Sequence, residues 1–75
     1  MKLFGRRVRA GRIATGFNSA EDFADAVGMG CDRYAAIENG TLMPDLAELA
    51  LIASTTNRSI HYMVTGKFYD GLLAA

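Results

Sequence analysis

Residues 27–40 read VGMGCDRYAAIENG, and this stretch decides the fold. Gly28 and Gly30 open a short helix, and Asn39-Gly40 closes it. Inside those brackets Tyr34 and Ile37 stand three apart and predict a buried side. Asp32, Arg33 and Ala36, at i, i+1 and i+4, share an outward strip. The inward side has the core to explain it, so the outward strip is the part that needs a function.

Working outward, helical signals dominate and no alternating strand pattern bounded by turns appears. A first helix is expected over residues 4–15, stopped by Gly16, because glycine readily takes the left-handed conformation that ends helices. Ser19 is the expected N-cap of a second helix over residues 20–27, with Glu21 and Asp22 in its first turn, where the helix dipole favours negative charge. Gly28 ends that helix, and only Met29 and Gly30 precede the third, Cys31–Glu38, so the two helices must meet at a sharp angle. Beyond Pro44, the spacing of Leu46, Leu49, Ile52 and Ala53 predicts a fourth helix with one apolar face, ending near Thr56-Asn57. Ser59 caps a short fifth helix carrying Ile60, Met63 and Val64 and closed by Gly66. Met29, Met43 and Met63 are expected to fill the core at element junctions. Residues 1–66 therefore read as one all-α domain of five short helices, and residues 67–75 as a tail.

A chain of 75 residues makes one small domain without room for a deep catalytic cleft. One cysteine excludes an internal disulfide, no Cys/His group has metal-ligand spacing, and no cofactor is implied. The N-terminal MKLFGRRVRAGR has no apolar run behind its basic residues, so neither a signal peptide nor a membrane span is expected, and the setting is read as cytoplasmic. Eight basic and eight acidic side chains cancel, but unevenly. Lys2, Arg6, Arg7, Arg9 and Arg12 crowd the first segment, whereas between Glu21 and Glu48 the only basic residue is Arg33. Any phosphate binding must then rely on one face rather than on a general field. No nucleophile–base pair or carboxylate pair stands out, and Gly28-Met29-Gly30 lacks the strand context of a dinucleotide fingerprint, so an enzyme is not expected. The lone His61 reads as a surface residue.

Two short helices joined by a tight glycine-containing turn are the elements of a helix-turn-helix, in which one helix braces against the DNA backbone and the next enters the major groove. Residues 7–66 resemble the Xre-type, phage repressor/Cro-like helix-turn-helix regulators. The marks are Arg12 ahead of Gly16, FADAVG at 23–28, IENG at 37–40, Pro44, the leucine-rich fourth helix and SIHYMVTG at 59–66. SAEDFADAVG together with RYAAIENGTLMP is most similar to the bacterial and prophage branch.

The resemblance implies a compact lambda-repressor-like domain that binds double-stranded DNA as a homodimer and regulates transcription. It implies an ion pair between Arg12 and Glu38, which a partly buried glutamate beside Ile37 would need in any case. The implied base-reading residues are Cys31, Asp32, Arg33 and Ala36: Arg33 for a fork onto guanine, Asp32 for cytosine N4, Ala36 for a thymine methyl. Cys31 is read as a small residue there rather than a redox-sensitive thiol. Phosphate contacts are implied for the backbone amides of Ala20 and Glu21, where the family often carries a glutamine at the first position, and for Asn39 and Thr41. Arg6, Arg7 or Arg9 would add more, Arg9 being the first choice. Tyr34 is expected to pack its ring inward while its hydroxyl reaches the edge, a phosphate contact there being the alternative to plain packing. Phe68, Tyr69, Leu72 and Leu73, with the fifth helix, are the dimer candidates, the alternative being that they cover the domain's own core.

Three features support a different use of the same fold, as a module that binds RNA polymerase or another regulatory protein. The net charge is zero, Ala20 stands where the family often carries a glutamine, and the third helix carries an acid where it would face phosphate.

Overall fold

The computed structural model describes residues 2–67. Among them lie α1 (Lys2–Ala14), α2 (Ala20–Ala26), α3 (Cys31–Glu38), α4 (Leu46–Thr55) and α5 (Ile60–Thr65), with no strand. The dimer candidates Phe68, Tyr69, Leu72 and Leu73 fall outside the described residues.

Three of the helices, α2, α4 and α5, start where a side chain satisfies a first-turn amide. Ser19 Oγ accepts from the Asp22 amide at 3.3 Å, and Ser59 Oγ from the Tyr62 amide at 3.0 Å. Asp45 does more: its Oδ1 accepts from the Glu48 amide at 2.8 Å while Glu48 Oε1 accepts from the Asp45 amide at 2.9 Å, a reciprocal capping box. α1 begins two residues earlier than the expected 4–15 and ends one earlier, α2 stops at Ala26 with Val27 as its cap, and α4 stops at Thr55. Such shifts are the ordinary fraying of helix ends.

The core gathers Phe4 and Val8 from α1, Phe23 and Ala24 from α2, Tyr34 and Ile37 from α3, Leu49, Ile52 and Ala53 from α4 and Met63 from α5. Phe23 is its centre, with the Phe17 ring edge-on at 5.2 Å and the Tyr34 ring tilted at 5.1 Å. α1 lies across the end of α3 at Gly5, where a Cβ would overlap the Glu38 carbonyl and stand 2.8 Å from that of Ile37. Here a residue that weakens a helix by about 1 kcal/mol relative to alanine allows two backbones to touch.

Two apolar residues depart from expectation. Leu46 shares the spacing of Leu49 and Ile52 yet is 74% exposed, because periodicity says which way a residue points and not whether a neighbour covers it. Met43 is also exposed, and the buried position next to it belongs to Pro44. Met29 and Met63 are buried. Of the apolar residues on α5, Met63 alone is buried, Ile60 and Val64 being exposed.

Candidate nucleic-acid interface

The link between α2 and α3 is built by hydrogen bonds that only one backbone path allows. Gly28 adopts φ 69°, its amide donates to the Asp25 carbonyl at 3.1 Å, and the Met29 amide donates to that of Ala24 at 2.8 Å. This closes α2 and drives the Met29 side chain into the core, so the turn is packed as well as bonded. Gly30, extended at φ −62° and ψ 142°, then starts α3.

The inner end of α3 is held by charge. Arg12 Nε donates to Glu38 Oε2 at 2.7 Å, with side chains only 6% and 11% exposed, and Arg12 Nη1 donates to the Phe17 carbonyl at 2.8 Å. One arginine thus ties α1 to the following turn and to the end of α3. Burial opposes its charge, but the Glu38 hydrogen bond and carboxylate outweigh that and raise its pKa. Tyr34, expected to bring its hydroxyl to the edge, does not: the whole side chain is buried and the hydroxyl has no hydrogen-bond partner. Its ring is drawn under the aromatic cluster, and burial first, then Glu38, shifts its pKa upward against the pull of Arg12. A phosphate contact from Tyr34 is excluded by that burial.

The outer face of α3 is the expected strip. Cys31, Asp32 and Arg33 are exposed in its first turn, and Ala36 is half-buried one turn on. Arg33 is not loose in solvent. Its Nε donates to Glu48 Oε2 at 2.6 Å and its Nη2 to Glu48 Oε1 at 2.8 Å, a two-pronged bridge from α3 to the start of α4. Hydrogen bonding to Arg33 first, then to the Asp45 amide, holds the Glu48 carboxyl down at about 2. At the far end of the helix Asn39 and Thr41 are exposed, and the Thr41 hydroxyl donates to the Ala36 carbonyl at 3.2 Å. At the start of α2, Ala20 is half-buried and Glu21 exposed.

The helix-turn-helix family model matches residues 9–63, from within α1 to Met63 of α5. The chain belongs to the helix-turn-helix family. It is of the Xre-like, Cro and repressor type, a DNA-binding domain of transcription regulation. No curated protein and no solved structure matches the chain. No helix among the described residues is long and apolar enough to cross a membrane.

Within this helix-turn-helix the cations are unevenly free. Arg12 and Arg33 are bound to carboxylates, and the Arg58 guanidinium lies over the Tyr62 ring at 5.7 Å. Arg7, one of the arginines offered for phosphate, turns inward instead. Its Nη1 donates to the Val64 carbonyl at 2.9 Å and the Met63 carbonyl at 3.2 Å, where a cation also suits the negative end of α5. Lys2, Arg6 and Arg9 remain exposed, at i, i+4 and i+7 on one side of α1. Arg9 therefore belongs to a basic stripe on a different element from the other candidates. Glu21, Asp22, Asp25 and Asp32 are all exposed on the helix pair itself.

The role of Glu48 is absent from the sequence reading. Half of it was legible, since Asp45 three residues ahead of Glu48 before an apolar run is a capping-box pattern. The bridge to Arg33, fifteen positions away, is tertiary. A groove of about 560 Å³ between the end of α1 and the start of α5, lined in part by Thr15, Arg58 and Tyr62, shares no residue with the strip.

Proposed function

We propose that this helix-turn-helix is a cytoplasmic, sequence-specific transcriptional regulator of bacterial or phage type, a homodimer that places α3 in the major groove of a near-palindromic operator. The observation that carries the reading is the first turn of α3. It presents Cys31, Asp32 and Arg33 outward from a helix whose inner end is fixed by a buried ion pair and whose entry is a packed turn. Arg33 and Asp32 supply base preference, with Cys31 and Ala36 beside them. The amides of Ala20 and Glu21, the polar groups of Asn39 and Thr41, and Arg9 supply phosphate contacts. Dimerisation raises affinity and sets the half-site spacing, with residues 67–75 as the proposed contact through Phe68, Tyr69, Leu72 and Leu73.

Mobility shift of the purified chain on its own upstream DNA against a scrambled control, at low and near-physiological salt, tests this. The expected result is a shift selective for the native fragment, with affinity falling at a log–log slope of about −0.9 per phosphate contacted. Arg33→Ala should relax base preference, and Arg9→Ala should weaken all sequences alike. No selective shift on this fragment, and none on DNA drawn from the whole genome, would overturn the reading.

One observation favours a second use. Four exposed carboxylates, Glu21, Asp22, Asp25 and Asp32, stand on the helix pair while Arg33 is already engaged, a charge pattern that repels phosphate. That pattern suits a basic surface on RNA polymerase or another regulator. Retention by such a protein with no DNA shift at any salt would establish it in place of operator binding.

A further inference from the structure

We propose that Glu48 is the positioning residue of sequence recognition, clamping Arg33 so that its free edge is presented to a guanine. The inference rests on the reading of α3 as the base-reading helix. A guanidinium carries five N–H donors in a rigid plane. Glu48 occupies Nε–H and one Nη2–H. Three donors remain, and two of them, the second Nη2–H and the Nη1–H beside it, form the end-on pair whose parallel directions match guanine O6 and N7.

The clamp is itself anchored. Glu48 Oε1 also accepts from the Asp45 amide at 2.9 Å, and the Glu48 amide is held by Asp45 Oδ1, so the carboxylate is tied to the α4 backbone. At 19% exposure it is also the more sheltered partner, while Arg33, at 44%, reaches outward from it. An exposed arginine without a clamp must lose side-chain freedom when it meets a base; here much of that loss has already occurred on folding. The carboxylate also offsets the charge of Arg33, which makes a phosphate a poorer target for it and leaves the geometric match to guanine as its distinguishing contact. With its pKa near 2, Glu48 remains charged throughout the neutral range.

Selection from random-sequence duplexes by the full chain tests the proposal, comparing wild type with Arg33→Ala, Arg33→Lys and Glu48→Gln. Glu48→Gln keeps an amide oxygen for the Asp45 N–H but replaces the other acceptor of the fork with a donor. A thermal melt of each variant establishes that it is folded. Glu48→Asp, which withdraws the carboxylate by one methylene, serves if the glutamine variant is unstable. The expected result is a guanine preference of about tenfold or more at one position of each half-site in wild type. It should collapse toward parity in Glu48→Gln as it does in Arg33→Lys and Arg33→Ala, with the other positions unchanged. A purely structural role for Glu48 would instead weaken every sequence alike. A preserved preference in Glu48→Gln, tighter binding on release of the bridge, or indifference of that position to Arg33→Ala would each overturn the proposal while leaving DNA binding intact. Selection of no sequence by wild type would overturn the parent reading and this proposal with it.

Discussion

Replacing Gly5 with alanine adds one methyl group and should cost the domain much of its stability. On propensity alone the change favours the folded state by about 1 kcal/mol, since glycine is a poor residue inside α1. The added Cβ, however, has nowhere to go: it would overlap the Glu38 carbonyl oxygen, and it would stand 2.8 Å from the Ile37 oxygen and 2.9 Å from the Glu38 carbonyl carbon. All three atoms are backbone, so no rotamer change relieves them and α1 must lift off α3. Overpacking of this kind costs ~1–3 kcal/mol and occasionally more. The contact lies at the residue whose side chain pairs with Arg12, so lifting α1 also stretches the buried ion pair. The upper part of that range, less the propensity gain, leaves a net loss of about 2 kcal/mol, which lowers the melting temperature of a domain this small by on the order of 10 °C. Gly11→Ala is the internal comparison, because there the new Cβ meets side-chain atoms of Arg58 and Thr56 at 3.0–3.2 Å, and the arginine end can move. Circular dichroism melts of both variants check the reasoning. A Gly5→Ala protein that melts at or above wild type would refute the backbone contact.

Three further outcomes are expected. Arg12→Ala should destabilise by about 3–5 kcal/mol in urea denaturation, because it leaves Glu38 buried without its cation. Arg12→Met combined with Glu38→Leu should recover most of that loss, and a single variant as stable as wild type would show that the pair does not contribute. Tyr34→Phe removes a buried hydroxyl that lies in the field of Arg12 and Glu38 without a well-formed hydrogen bond to either, and should change stability by no more than about 1 kcal/mol; a larger loss would place a hydrogen bond on that oxygen. Because the folded-state pKa of Glu48 is depressed to about 2 from an ordinary 4.5, its stabilisation is fully present above pH 4.5 and disappears as pH falls toward 2. The melting-temperature advantage of wild type over Glu48→Gln should follow that course, and an advantage that stays constant down to pH 2 would count against the charged clamp.

How much of this was legible depended on distance along the chain. The signals at Ser19, Gly28, Asn39-Gly40 and Ser59 act within a few residues, and the structure uses each of them at or beside a helix end. The inward face of α3 was equally local, since a spacing of three on one helix brings Tyr34 and Ile37 to one side whatever surrounds them. Coverage was not local. Leu46 and Met43 are as apolar as their buried neighbours, and nothing in their own segment states that no other helix lies over them. Arg7 and Arg9 stand two apart in the same basic run, yet one reaches the carbonyls at the end of α5 and the other faces outward.

Neighbouring residues were enough to set the five helices, the caps at Ser19 and Ser59 and the tight turn between α2 and α3, because helix ends and turns are decided by the dihedral preferences and hydrogen-bonding reach of adjacent residues. Only the tertiary structure decided that Gly5 is a contact between two backbones, that the Tyr34 hydroxyl lies buried, and that Arg33 is held by Glu48. Each of those depends on how close two helices come once the core is packed, and that separation is set by side chains from every element at once.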